Sequence, residues 1–582
     1  MLASAIAYLC FLVLPLAASK QFAWTNFRKY FDHDQYAYLA IAVNVSNGNF
    51  NNVEPFTETG TSHYPRLYYV MLGLLARLFH ADIVATWQVV GIIFQLAMVM
   101  TVSWLFIRLT NRVAFGLLGF VPSLIGVLAV PISHSWLHPL GNHGVLWGPY
   151  GTMFTLNGEA AAMAVAVIAA CLIIGFTFPG AVGQAPRRSV KAAVVIGASS
   201  AVGLLANVQT YSFLTAVYFL SYAAAAYGVL QAGRRKYAVV SVVFLLAALL
   251  GGTFIGANVS PLAALVCGLA GAVPGILLLL RRYPVVIGAS AAGMAAAAAP
   301  TILATLAGIS QQDPFLEYRA LSSENLGVPF PLGFIAAAVP ALFLGIIFRA
   351  GIRTGNKAWL ALSVGIGVAW PVIATNDLWG ANQEPYRFWL DSFVLASALS
   401  LPVLVQVLLN GHEEAQSTRP AAALLRKAGG VLLWGLASFS FLDYVGFAYL
   451  VHNQGTASFD DGQARAISAA AGSLPDDATA SVLPDPCIDP FRLKTVTGAP
   501  TAYYNLGLAW PANETSFRAL LEERENGAFD HDLAEQAGVG YVMTDSACSA
   551  GWHGQVRGAA IAESIYVKGN NDETVTLWKL DR

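Results

Sequence analysis

Apolar residues run along this chain in long blocks, not in the short alternations of a soluble fold. A helix that crosses a bilayer needs roughly 20 mostly apolar residues. Thirteen blocks read as spans: 2–19, 84–107, 114–131, 157–178, 192–209, 212–231, 237–256, 261–280, 284–308, 329–348, 358–375, 388–409 and 429–449. Tyr64–Phe79 is apolar but short, and it contains Arg66 and Arg77. It predicts a helix lying at the outer surface, or the first part of the second span. After residue 450 the blocks stop. Ala478–Leu483 and Val539–Thr544 read as strands, Thr515–Glu525 and Asp530–Ala537 as helices. Ser564–Val567 and Thr574–Leu577 read as a terminal hairpin around Gly569–Asn570–Asn571. The expected fold is a multi-pass α-helical membrane protein of about 13 spans with a C-terminal extracytoplasmic α/β domain. The expected division is a transmembrane domain over 1–450, with a first external loop at 20–83, and a soluble domain over 451–582.

Composition agrees with this pattern. Of the 582 residues 56% are hydrophobic and 11% charged, where soluble domains carry about 25% charged residues. The net charge of −1 excludes a basic nucleic-acid binder. That total hides an asymmetry. Residues 1–450 hold 23 Lys and Arg against 15 Asp and Glu, whereas 451–582 hold 9 against 18. With the N-terminus cytoplasmic, sixteen cationic loop residues fall inside and seven outside, as the positive-inside rule demands. This places the C-terminal domain outside the cytoplasmic membrane. Residues 1–19 also have the length of a signal peptide, with Ala17–Ala18–Ser19 near a cleavage site, but lack its cationic start. Cys487 and Cys548 are the only cysteine pair in the external domain, and an oxidising compartment predicts a disulfide between them.

The external loops hold most of the polar chemistry. Phe31–Asp32–His33–Asp34–Gln35–Tyr36–Ala37–Tyr38 lies in the first. Two carboxylates two residues apart suit a divalent cation such as Mg or Mn, or a general base with a helper. The same residues suit the cap of an amphipathic helix, and both readings stand. The second loop carries His134, His138 and His143. These suit either a metal site or interfacial packing. Asp313, Glu317, Arg319 and Glu324 lie in the third loop, and Asp377, Glu384 and Arg387 in the fourth. Arg387 can pair with Glu384 or Asp391, reach lipid phosphate, or clamp a substrate phosphate. Glu159, Asp391 and Asp443 are the acids inside the spans. The phosphate loop, the nucleophile elbow and the His-Glu-x-x-His motif are all absent, and no nucleotide site is expected.

These motifs resemble the GT-C glycosyltransferases, membrane enzymes that take a sugar from a polyprenyl phosphate or diphosphate on the outer face. Asp34-Gln35-x-x-Tyr38 is similar to their Asp-Glu-x-x-Tyr form, with Gln35 replacing Glu, and Asp32-His33-Asp34 to their Asp-x-Asp form. His63-Tyr64-Pro65-Arg66-Leu67-Tyr68-Tyr69 looks like their Tyr-Pro-Pro-Leu-Tyr stretch, with Arg66 in place of the second Pro. Tyr386-Arg387-Phe388 resembles a Tyr-Arg-Phe near their last spans, and Val539–Asp545 is similar to strands of their external domains. The Trp-Trp-Asp acceptor motif of oligosaccharyltransferases is absent.

The resemblance implies an inverting transfer of sugar to an envelope glycan, lipid or protein. Asp34 would be the base and Asp32 its helper. Arg387 and Arg66 would bind the departing phosphate. Asp377, Glu384, Tyr38 and His33 would be acceptor-side or secondary residues, and any metal would sit on Asp32 and Asp34. The external domain would bind acceptor or act as a lid. A flippase for lipid-linked sugars and a non-catalytic scaffold or receptor are the alternative functions.

Overall fold

The computed structural model describes residues 1–18, 23–28, 32–125, 155–178, 187–322, 330–414, 456–475, 480–549, 552 and 554–581, with isolated positions between 435 and 448. His134, His138, His143, Glu324 and Asp443 lie outside these residues, as do most of span 429–449 and the end of span 114–131.

In chain order the elements are α1 (Leu2–Ala18), β1 (Asn26–Arg28), α2 (Asp32–Ser46), α3 (Leu67–Phe79), α4 (Ile83–Thr110), α5 (Gly158–Thr177), α6 (Arg188–Leu204), α7 (Thr210–Ala232), α8 (Arg235–Asn258), α9 (Pro261–Cys267), α10 (Val273–Arg282), α11 (Pro284–Ser310), α12 (Pro314–Ser322), α13 (Phe330–Thr354), α14 (Lys357–Ala374) and α15 (Pro385–Glu414). Then follow β2 (Thr456–Ser458), α16 (Gly462–Ala471), β3 (Ser481–Pro484), α17 (Pro490–Thr497), α18 (Glu514–Glu525), α19 (His531–Gln536), β4 (Val539–Asp545), β5 (Gly558–Lys568) and β6 (Asn571–Leu580). Among the described residues ten helical segments are long and apolar enough to cross a membrane, from Ile83–Thr110 to Arg387–Asn410. They coincide with ten of the thirteen expected spans. Leu2–Leu14 is a shorter apolar helix, and Val113–Leu124 is a 3-10 segment. Tyr64–Phe79 is not the start of the second span, because α3 stops at His80, whose φ of +49° breaks the helix before α4 begins.

The chain forms two compact units. One comprises Met1–Ser19, Gly91–Ile302 and Leu321–Asn453; the other comprises Lys20–Val90, Leu303–Ala320 and Gln454–Arg582.

In the first unit the helices pack through small residues, as apolar helices in lipid must, because lipid offers no hydrophobic gain on association. A Cβ on Gly228 of α7 would lie 2.3 Å from the carbonyl of Gly275 in α10, and one on Gly275 would lie 2.2 Å from that of Ala225. Only glycine admits this approach. Asn157 caps α5 by accepting the Ala160 N–H, and Asn356 caps α14 by accepting those of Ala358 and Trp359.

The second unit is an α/β structure built on a sheet in the order β3-β4-β6-β5. β3 and β4 are parallel; β4–β6 and β6–β5 are antiparallel. Alternate strand residues feed two cores. Val482, Tyr541, Met543 and Leu577 pack with Ile467 of α16 and Leu493 of α17. Leu483, Val542 and Leu580 pack with Phe517 and Leu520 of α18 and Ala534 of α19. The β5–β6 hairpin turns at Gly569, whose φ of +65° suits a residue without Cβ. Lys20–Val90 belongs to this unit. β1 pairs antiparallel with β2, and Tyr36 of α2 stacks on Phe491 of α17 at 4.7 Å.

Cys487 and Cys548 are bridged as expected, closing a separation of 61 residues. In the chain-entropy picture such a closure is worth roughly 4 kcal/mol. Cys548→Ser should therefore lower the melting temperature of the full chain in detergent, and reductant should lower it in the wild type only. A melting temperature insensitive to both would show that the bridge adds nothing.

Candidate functional site

Asp34 stands in the first turn of α2, where the positive end of the helix dipole favours a carboxylate. It is exposed, while Gln35 beside it is buried at 5%. The acid of the Asp34-Gln35 pair therefore faces outward and the neutral amide faces the core, where a second charge would be costly. One turn on, the Tyr38 ring stacks against Tyr64 at 5.4 Å and Tyr69 at 4.9 Å. The two motif segments, separated by some 25 residues of loop, thus meet in space. Asp32 and His33 lie in the same helical turn, and their side chains fall outside the described residues.

The rest of the first loop is held by buried polar anchors. Glu54 is wholly buried, and its Oε2 accepts the N–H groups of Phe56 at 2.9 Å and Thr57 at 2.7 Å and the Thr57 hydroxyl at 2.9 Å. Burial outweighs these donors and pushes the carboxyl up to about 7. Glu58 accepts from the Lys494 ammonium at 2.6 Å, and Lys494 is itself fully buried. The carbonyls of Gly498 and Ala499 complete its shell at 3.3 Å each. Arg66 donates to the carbonyls of Phe50 and Asn51, both at 2.5 Å. Its guanidinium clasps the loop without meeting a carboxylate in these bonds. His63 Nε2 lies 3.3 Å from Asp313, whose other oxygen caps α12 through the Phe315 N–H.

Arg387, Glu384 and Asp377 belong to the other unit. Arg387 opens the last described span, with Nε 2.6 Å from Glu384 and a terminal nitrogen 3.6 Å from Glu159. Its guanidinium lies 5.1 Å from the centre of the Tyr211 ring. Of the readings open from the sequence, the pairing with Glu384 is the one observed. Glu159, Tyr211 and Arg387 each sit in the first turn of a helix, α5, α7 and α15, so three positive dipole ends offset the local acids. Asp391, one turn along α15, is wholly buried within reach of the charges of Glu159 and Arg387. Glu384 holds a left-handed φ of +36°. The buried Asn376 shapes that turn by accepting the Gln383 N–H at 2.6 Å. Partial burial raises the carboxyl of Asp377 above its usual range.

Asp545, at the end of β4, accepts from Gln463 at 2.6 Å and from the Tyr566 hydroxyl at 2.8 Å. Its own N–H donates to Asp485 at 2.7 Å. Burial pushes Asp485 up to about 6. These bonds give Asp545 a structural task. Among the described residues Asp485, Cys487 and Cys548 cluster as metal ligands would, but the two sulfurs are bonded to each other. Glu54, Lys494 and Asn376 were missed in the sequence, because each is a lone polar residue with no motif around it.

No protein-family model matches the sequence, and no curated protein matches it. Among solved structures the chain is similar to an oligosaccharyltransferase from Archaeoglobus fulgidus in complex with zinc and sulfate. That likeness has 14% identity and a TM-score of 0.46, over 93% of this chain and 67% of the other. It is also similar to ArnT from Cupriavidus metallidurans bound to undecaprenyl phosphate, at 12% identity and a TM-score of 0.42, over 98% and 97%. Likenesses at this level fix neither family nor function.

Two outcomes follow from the buried charges. The folded-state value of Glu54 lies above the 4.5 of a free glutamate side chain, so the folded chain holds this proton more tightly. Its stabilising contribution is complete below about pH 4.5 and is lost as pH rises through about 7, a change on the order of 3 kcal/mol. Melting temperature should fall from pH 5 to pH 8, and Glu54→Gln should flatten that slope; an unchanged slope in the variant would rule Glu54 out. Separately, Arg387→Ala removes the cation that lies 2.6 Å from Glu384 and 3.6 Å from Glu159. It should cost about 3–5 kcal/mol, read as a lower melting temperature in detergent, with Arg387→Lys falling between. An unaltered melting temperature would mean these pairs add no stability.

Proposed function

We propose that this protein is a membrane glycosyltransferase of the GT-C kind, acting on the outer face of the cytoplasmic membrane. It moves a sugar from a polyprenyl-phosphate donor to an envelope glycan, lipid or protein, with inversion at the anomeric carbon. The observation that carries the reading is the joining of the two motif segments. Asp34 is presented outward from the turn whose Tyr38 packs on Tyr64 and Tyr69. The orientation follows the charge of the loops, with the N-terminus cytoplasmic and residues 451–582 outside.

In this reading Asp34 removes the proton of the acceptor hydroxyl. The acceptor oxygen bonds the anomeric carbon, the bond to the phosphate oxygen breaks, and polyprenyl phosphate leaves with the electron pair. Asp32 assists. Positive charge favours the departing phosphate. Arg66 is the first candidate, because its carbonyl partners leave its charge uncancelled, whereas Glu384 and Glu159 offset that of Arg387. Arg387 is the second. Glu384 is engaged by Arg387, which leaves Asp377, Tyr38 and His33 for the acceptor side. A divalent cation would be held by Asp34 together with Asp32, and the Asp34 carboxylate also faces the Asn505 amide.

The test compares envelope lipids and glycans by mass spectrometry in a deletion strain complemented with wild type, Asp34→Asn or Asp32→Asn. The wild type should restore a missing sugar, and Asp34→Asn should lose at least about 100-fold, the scale of general-base catalysis. Asp32→Asn should lose less. Full restoration by Asp34→Asn would sink the assignment. Accumulation of a lipid-linked sugar on the cytoplasmic side, with glycans unchanged, would replace transfer with flipping.

A further inference from the structure

Asp34 has a polar neighbour that its motif does not announce, 471 positions along the chain. The Asn505 side-chain nitrogen lies 3.5 Å from Asp34 Oδ1, the long end of a hydrogen bond. Which end of the amide faces Asp34 is settled by the other bond. Asn505 Oδ1 accepts the Gly507 N–H at 2.8 Å, so the NH2 group must point to the carboxylate. The surrounding turn is fastened on several sides. The N–H of Leu508 returns to the Asn505 carbonyl at 3.0 Å, and Ser62 donates to the Leu508 carbonyl at 2.9 Å. Thr61 and Trp510 exchange backbone hydrogen bonds of 2.9 and 2.8 Å. The main-chain N–H of Asn505 points at Glu54 Oε1 at 3.4 Å. A Cβ on Gly507 would stand 3.9 Å from Asp34 Oδ1, so this turn also forms a wall beside the carboxylate.

We propose that Asn505 is a positioning residue that orients the Asp34 carboxylate, so that the C-terminal segment completes the reaction centre. This rests on the assignment of Asp34 as base. An exposed carboxylate in the first turn of a helix swings among rotamers, and an amide fixed by its own turn selects one of them. Catalytic hydrogen bonds are often long in the substrate-free state and tighten once substrate is bound, which accounts for the 3.5 Å separation. The role differs from that of a lid or acceptor module, because it acts on the base and not on substrate affinity.

The decisive variant is Asn505→Asp. It is isosteric and still accepts the Gly507 N–H, so the turn survives, but it turns an acceptor toward Asp34 where a donor stood. Asn505→Ser keeps the turn and withdraws the donor without adding charge. Full-length variants are reconstituted in liposomes with the lipid extract of the deletion strain as donor source, and initial rates are followed against extract concentration. Asn505→Asp should lose at least tenfold in maximal rate, Asn505→Ser three- to tenfold, with half-saturation within twofold and melting temperature unchanged in both. A maximal rate within twofold of wild type for both variants would overturn the proposal. So would a loss confined to half-saturation, which would mark Asn505 as a binding residue. Asp34→Asn, run alongside, separates the two claims: if it is fully active the base assignment has failed, and if it is inert while Asn505→Asp is normal, only this inference has failed.

Discussion

The α/β unit depends on a buried lysine. Lys494 is wholly shielded from water, and burial lowers its affinity for a proton. An ammonium in that position is tolerable only if its donors are used. Glu58 supplies the countercharge, and two carbonyls of the chain leaving α17 supply the rest. Glu58 can reach it because its own backbone adopts a φ of +57°, folding residues 54–59 into a tight loop over the buried Glu54. Remove the cation and an acid is left unpaired; remove the acid and a charge is stranded. The loop and α17 are thereby held in one arrangement.

From that anchor the rest of the unit can be followed outward. α17 carries Phe491, which stacks on Tyr36 of α2 and so sets the helix that bears Asp34. The segment after α17 donates the Thr501 N–H to the Phe56 carbonyl at 2.7 Å, and the next turn brings Asn505 to the start of α2. Residues that read as a loop and a separate domain therefore build one surface. The first unit obeys another rule. There, helices meet where Gly228 and Gly275 allow contact between backbones, and a knot of charge around Arg387 lies at helix N-termini that favour acids.

Much of this was legible from pattern. Ten spans follow from apolar length alone, which is the strongest signal a membrane chain offers. The Cys487–Cys548 bridge follows from the lack of any other external cysteine. The terminal hairpin, strand β4 and helices α18 and α19 follow from alternation and turn residues. α16 and α17 were not foreseen. α16 is a run of small residues with one large apolar side chain, Ile467, and α17 is a short helix of eight residues that begins at Pro490, soon after Pro484 and Pro486. The polar anchors were hidden for a deeper reason. Glu54, Asn376 and Asn505 acquire their roles only from partners brought near by the fold, and nothing in their neighbours announces it. Asp34 was legible because its motif is local.

The Lys494–Glu58 bond spans 436 positions of sequence. At synthesis rates of 5–20 residues per second, roughly 20 to 90 s separate the emergence of the two ends. Throughout that interval the residues that bury Glu54 and Phe56 do not yet exist. The nascent loop lacks its core for that time, and incompletely packed chains of this kind are prone to misfold. The loop reaches its final packing only after the segment carrying Lys494 has been made, so its folding waits on a part of the chain synthesised long after it.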